Sequence, residues 1–294
     1  MTDKQLNLLF PQWQGSGSVN ALYHSAVALA ETCPRTCFTP VPVPEYESLG
    51  VTNGILGYES IVSQMTDAAD IVRQANPGFI LTIGGDCGIE PVPVSWLNRR
   101  HGGDFTLIWL DAHADLNTPD TSPSGDYHGM PLATLMGMGD KILGNTCFSA
   151  LRPDQVILAG VRTMDPAEAR YTKENKITRV TVRDMETDIS ALTRAVKEKG
   201  DNPVYIHIDL DVLDPGAYPY IRHPEPGGLM PQTLTAVLEN LKTACTMTGL
   251  GLMEFTLEHF ENMSGKADTA DEGRLPDTGG LEIVRSLMNR FGCP

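Results

Sequence analysis

Short apolar runs alternate with amphipathic stretches along the whole chain. LNLLF (6–10), GFILTIGG (78–85), FTLIWLDAH (105–113), DQVILAGVR (154–162), PVYIHIDLD (203–211) and GLGLMEF (249–255) are rich in branched or aromatic residues and bounded by Gly, Pro or Asp. Such runs read as strands buried on both faces. Between them, 19–33, 58–76, 189–200, 230–245 and 281–292 carry helical periodicity. The strand–helix rhythm predicts a parallel sheet covered by helices on both faces, because parallel neighbours need crossover connections. Neither an internal repeat nor a low-complexity linker interrupts it, so one domain over residues 1–294 is expected. The segment 260–280 is polar and Gly-containing and reads as a surface loop.

In open parallel sheets, ligands bind beyond the carboxyl ends of the strands, so the residues that follow each strand matter most. GFILTIGG leads into Asp86-Cys87, LIWL into Asp111-Ala-His113-Ala-Asp115, VYIHI into Asp209-Leu-Asp211, and GLGLM into Glu254. One acid after a strand is commonly a helix cap. Four strands delivering acids, a His and a Cys to one edge exceed what capping requires. Residues i and i+2 on a strand share a face. Asp111, His113 and Asp115 therefore converge if their strand continues to its end, as do His207, Asp209 and Asp211. So many carboxylates together would force some to stay protonated, unless a pair of divalent cations shares them. Carboxylates with one or two His suit Mn²⁺ better than a sulfur-rich site would.

Composition narrows the classes. Lys and Arg number 22 against 37 Asp and Glu, a formal charge of −15, which argues against a phosphate-backbone partner or an anionic membrane surface. No apolar run approaches the roughly 20 residues of a membrane span, and the N-terminus lacks the pattern of a secretory signal. Six dispersed cysteines in such a chain read as free thiols in a reducing cytoplasm.

The strings GGDC (84–87), DAHADLNT (111–118), SGDYHGMP (124–131), DLDVLDP (209–215) and MEF (253–255) resemble, in order, the motifs of the arginase, or ureohydrolase, family. That resemblance spans nearly the whole chain. It implies a three-layer α/β/α fold on a mainly parallel eight-stranded sheet, and two Mn²⁺ per chain. One cation would be held by Cys87, Asp111, Asp115 and Asp209, the other by His113, Asp111, Asp209 and Asp211, with Asp111 and Asp209 bridging. The family carries His where this chain has Cys87. His207 likewise replaces a small residue, and His223 falls where arginases commonly have Thr; a buried, hydrogen-bonded core histidine is the plain alternative for His207.

The resemblance further assigns Asn117 and Ser124 to a substrate α-carboxylate, with Thr121 and Ser122 nearby. Asp165 would meet an α-ammonium and Glu168 would support it. For Asp165-Pro166 alone, an ordinary turn is the simpler account. Glu254 would pair with the guanidinium, Asp115 would orient the attacking water, and His128 would carry the proton to the departing amine, with an intrinsic pKa suited to that task. Both loop segments favour an α-amino acid over a decarboxylated amine. The Cys at position 87 resembles the Nω-hydroxy-L-arginine hydrolase branch associated with D-cycloserine biosynthesis, whose products are L-ornithine and hydroxyurea. Ordinary arginase, agmatinase or another guanidino-acid hydrolase, and a non-catalytic amino-acid-binding protein remain the alternatives. The resemblance also leaves room for an oligomer.

Overall fold

A computed structural model describes residues 4–17, 20–33, 36–257 and 284–285. Its strands are β1 (Gln5–Phe10), β2 (Thr39–Pro40), β3 (Val51–Thr52), β4 (Ile55–Leu56), β5 (Phe79–Gly84), β6 (Thr106–Leu110), β7 (Val156–Ala159), β8 (Thr178–Val180), β9 (Val204–Asp209) and β10 (Met247–Met253). Its helices are α1 (Ala21–Glu31), α2 (Tyr58–Ala75), α3 (Pro91–Arg100), α4 (Pro131–Leu135), α5 (Lys141–Gly144), α6 (Pro166–Glu174), α7 (Val182–Thr187), α8 (Ala191–Glu198) and α9 (Pro231–Ala244). Eight strands form one sheet in the order β2-β1-β5-β10-β9-β6-β7-β8, while β3 and β4 form a separate antiparallel pair. Every pairing in the large sheet is parallel.

Alternate strand residues enter two separate hydrophobic clusters, the period-2 consequence of burying both faces. Leu107, Trp109 and Tyr205 face α2 and α3, whereas Ile108, Leu110, Ile206 and Ile208 face α1, α8 and α9. The layers are thus helix, sheet, helix, as the apolar pattern predicts. The expected run 105–113 is a strand only to Leu110. The edge strands β2 and β8, of 2 and 3 residues, are too short for a hydrophobic period to register. Helix α3 begins PVPV, which reads as extended chain; yet its prolines fall in the first turn, where backbone N–H groups have no intrahelical partner to lose. Of the expected helix 281–292, only Val284 and Arg285 are described, and both are helical. The expected loop 260–280 lies outside the described residues.

The topology places the chemistry. Strands β5, β10, β9 and β6 are consecutive neighbours at the centre of the sheet, and the Cys87, Glu254, Asp209 and Asp111 segments leave their carboxyl ends side by side. Gly85 permits this crowding: a Cβ there would lie 1.8 Å from the Gln12 carbonyl oxygen.

Candidate active site

Cys87 opens a 3₁₀ turn directly after β5 and is fully buried. Its thiol donates to Asp209 Oδ2 across 3.1 Å, and its Sγ lies 3.6 Å from His207 Nε2. Asp209 ends β9 and its other oxygen accepts the Asp211 N–H at 2.7 Å. Asp211, within the following 3₁₀ turn, accepts from the Ala112 N–H at 2.8 Å and meets His113 Nδ1 at 2.7 Å. Asp111 accepts from the His113 N–H at 2.6 Å and from the Trp109 indole at 3.0 Å.

One expectation about how these residues converge is corrected here. His207 and Asp209 share a strand face, but Asp211 lies past the end of β9 in a 3₁₀ turn, and Asp111, His113 and Asp115 lie beyond the end of β6. A loop delivers them instead. Asp115 adopts φ 51°, a left-handed conformation that Asp tolerates better than most residues, and its carbonyl accepts the Leu132 N–H at the start of α4. Glu254 adopts φ 59° just past β10. Two non-glycine residues held in this region, both aimed at one cluster, fit the clustering of backbone strain at functional sites.

The charge balance of this cluster points to cations. Cys87, Asp111, Asp115 and His207 present donor atoms that lie within 4.8 Å of one another, as do Asp111, His113 and Asp211, and Cys87, Asp209 and Glu254. Burial, reinforced by neighbouring carboxylates, pushes Asp115 and Asp209 well above the usual carboxylate range and raises the Cys87 thiol. Asp211 is pushed up to about 6 for the same reasons. Burial opposes the charged form of His113, but Asp111 and Asp211 prevail and push it up to about 12. Without added positive charge, these groups cannot all take their ligand forms. Both Glu254 carboxylate oxygens are buried without a hydrogen-bond partner. Acceptor-rich, buried and under-satisfied, the donor set fits a pair of divalent cations and a cationic substrate group.

His128 Nδ1 lies 3.4 Å from Glu254 Oε1, and its ring centroid is 4.7 Å from that of His223. Burial opposes protonation of His128, and Glu254 outweighs it to raise the pKa. The same burial, with His128 as a cationic neighbour, pushes His223 down to about 2, so His223 is a neutral imidazole with an unpartnered Nε2. Outward from these groups, a cleft of about 190 Å³ is rimmed by Asn117, Ser124, Asp126, Thr163 and Asp165. Asn117 donates to Asp165 across 2.8 Å and accepts from the Thr121 hydroxyl, which pins its amide orientation. Ser124 accepts the Asp126 N–H. Ser122 accepts the Gly125 N–H. Glu168 uses both oxygens on backbone N–H groups, of Leu116 and Asp165, so it clamps the two loops together behind the cleft.

Sequence reasoning passed over Glu90. It is completely buried beneath the cluster, accepting from the Tyr205 hydroxyl at 2.8 Å and facing His207 Nδ1 at 3.0 Å. A lone acid inside the apolar run GIEPVPV was the available signal.

The sequence pattern of the Arginase family matches residues 26–263. The chain is 33% identical over 221 residues to arginase of Bacillus subtilis (strain 168), spanning 72% of this chain and 69% of that one. Identity to the Coccidioides immitis (strain RS) arginase is also 33%, over 227 residues, 71% of this chain and 66% of that one. Among solved structures, Entamoeba histolytica arginase in complex with L-ornithine has the same fold, with a TM-score of 0.83 at 18% identity over 99% of both chains.

Proposed function

Because the chain belongs to the arginase family, binuclear metal hydrolases acting on the C–N bonds of linear amidines, we propose that it hydrolyses Nω-hydroxy-L-arginine to L-ornithine and hydroxyurea. The observation that carries the choice of substrate is Cys87. By resemblance it stands at the family's imidazole position, and its thiol contacts Asp209 within the cluster of Asp111 and Asp115. A thiolate there adds negative charge and lowers the Lewis acidity of that half of the site. A hydroxyguanidine is less basic than a guanidinium, and its hydroxyl offers an oxygen that can approach a cation, so a weakened site can still use it.

Cys87, Asp111, Asp115, Asp209, Asp211 and His113 are the proposed holders of two Mn²⁺, which when bound would lower the pKa of water and polarise the substrate. The chain's own groups supply the rest. Asp165 receives the α-ammonium, while Asn117 and Ser124 receive the α-carboxylate; the pinned Asn117 amide keeps this end of the cleft pre-set. The free Glu254 carboxylate pairs with the hydroxyguanidine and turns its carbon toward the carboxylate cluster. Asp115 accepts a hydrogen bond from the attacking water. Addition of water to that carbon is followed by cleavage of its bond to the substrate δ-nitrogen, and the departing amine takes up a proton. His128, beside Glu254 and raised in pKa, holds that proton where it is needed.

The experiment is turnover of both substrates with Mn²⁺, with hydroxyurea and urea quantified separately. A kcat/KM at least about tenfold higher for the hydroxylated amino acid, roughly 1.4 kcal/mol in transition-state binding, is expected. Equal or better hydrolysis of L-arginine would make the protein an ordinary arginase.

A further inference from the structure

His207 sits on β9 two residues before Asp209, on the same strand face, and is completely buried. Its ring stacks on Trp109, its neighbour on β6, with centroids 3.6 Å apart and planes 17° from parallel. Nδ1 meets Glu90 Oε1 at 3.0 Å. That contact leaves Nε2 as the ring nitrogen that faces the cluster. Nε2 lies 3.6 Å from Cys87 Sγ and 3.6 Å from Asp111 Oδ2. The oxygen separation is too long for a good hydrogen bond. Carboxylate, imidazole and an open second nitrogen are the arrangement by which proteins orient a metal-binding histidine.

We propose that His207 is a metal ligand, its Nε2 joining Cys87 Sγ, Asp111 and Asp115 around the cation on the β5 side of the site. The separations agree. With metal–sulfur and metal–nitrogen bonds of about 2.3 and about 2.05 Å, two donors at a tetrahedral centre lie about 3.6 Å apart. The fold also makes room for the support. A Cβ on Gly251 of β10 would lie 2.0 Å from Glu90 Oε1, and one on Gly249 2.6 Å from the Tyr205 ring, so these two glycines open the niche that holds the Tyr205–Glu90–His207 chain. The imidazole absent at position 87 is thereby supplied from the adjoining part of the sheet. One cation position has sulfur and nitrogen donors, the other is oxygen-rich around His113, Asp209 and Asp211. The first should favour Co²⁺ or Zn²⁺ over Mn²⁺ more strongly than the second.

The inference rests on the proposed metal-hydrolase reading but is tested apart from it. Metal-free full-length protein is titrated with Co²⁺ and followed by absorption and paramagnetic proton NMR. A thiolate-to-cobalt charge-transfer band is expected, lost in Cys87→Ser. Wild-type protein should show two hyperfine-shifted imidazole N–H resonances, from His207 and His113. In His207→Gln one of them disappears and the first Co²⁺ equivalent binds at least about tenfold more weakly. The wild-type resonance count does not depend on any variant folding. A single shifted imidazole in the wild type, or unchanged Co²⁺ affinity in His207→Gln, overturns the ligand assignment even if hydroxyarginine is hydrolysed. Two shifted imidazoles in a protein that hydrolyses neither substrate would instead uphold the ligand and remove the hydrolase reading.

Discussion

Glu254 and His128 face each other at 3.4 Å across the inner end of the cleft, and His128 is the basic neighbour of an otherwise unpartnered carboxylate. In the proposed reaction both belong to the reacting end. Replacing His128 with Asn should lower kcat by about 10²–10⁴, the usual range for a lost proton-transfer group, and leave metal content unchanged. Steady-state kinetics beside elemental analysis checks this. Retained kcat would remove His128 from proton transfer.

Cys87→His restores the imidazole common in the family. The ratio of kcat/KM for L-arginine to that for Nω-hydroxy-L-arginine should rise by about tenfold or more, since one ligand then no longer adds negative charge to the site. Parallel urea and hydroxyurea assays on wild type and variant measure it, and an unmoved ratio would mean that Cys87 does not set substrate choice.

The Asn117–Asp165 pair predicts a discrimination effect. Asp165→Asn removes the charge that would receive the α-ammonium while keeping a side chain of the same size beside Asn117. A charge-assisted hydrogen bond is worth about 1.5–3 kcal/mol, so kcat/KM for the amino-acid substrate should fall roughly 10- to 100-fold. 5-Guanidinopentanoate, which keeps the carboxylate but lacks the α-ammonium, should not be bound more weakly to the same extent. A parallel loss on both would place Asp165 in structure rather than in recognition.

Removal of metal should be visible in stability as well as in turnover. Cations that bind the folded cluster and not the unfolded chain add about 2.7 kcal/mol at a hundredfold excess over Kd. Chelation should abolish hydrolysis and lower Tm, and Mn²⁺ should restore both. A Tm indifferent to chelator and to Mn²⁺ would mean the carboxylates are not gathered for a metal.

Asp140, away from the site, makes a pH-dependent contribution to stability. Partial burial works to raise its pKa, but bonds from the Leu143 and Ile142 N–H groups, the Tyr58 hydroxyl and the Asn53 amide outweigh it and hold the carboxyl below its ordinary value. A carboxylate with a depressed folded pKa stabilises fully above its unfolded pKa of about 3.9, and that contribution is lost as pH falls through the folded value. Asp140→Ala should cost about 1–2 kcal/mol near neutral pH, as a lost helix cap does. The gap between wild type and variant should narrow below about pH 4. Urea midpoints across that range report it, and a gap that widens in acid would contradict the assignment.

Much of the site was legible one strand at a time. Asp111, Asp209 and Glu254 follow apolar runs, and a parallel sheet puts such positions on one edge. The i, i+2 argument reached His207 and Asp209 but failed for Asp111, His113, Asp115 and Asp211, which lie past their strands; the approach of Asp115 depends on a left-handed turn and a bond to α4 that no period encodes. Helix α3 was missed because proline in a first turn looks, locally, like extended chain. The α-amino and α-carboxylate end depended on family resemblance. Its lining comes from two loops joined through Glu168, whose partners are 52 and 3 residues away.

By itself the sequence determined the layers of this protein, the strands at its centre and which acids leave their ends. Those follow from local periodicity, because burial on both faces of a strand is written into consecutive residues. Only the tertiary structure decided which strands are neighbours, and with that the relation of Cys87 to its partners. The 87–90 turn, residue 207 and residue 251 come from distant parts of the chain, and meet because β10 lies between β5 and β9 with β6 alongside. Gly251 leaves space for Glu90, Glu90 orients His207, and His207 faces the thiol. Each step relates residues from different elements, set by sheet order and register, which local patterning does not carry.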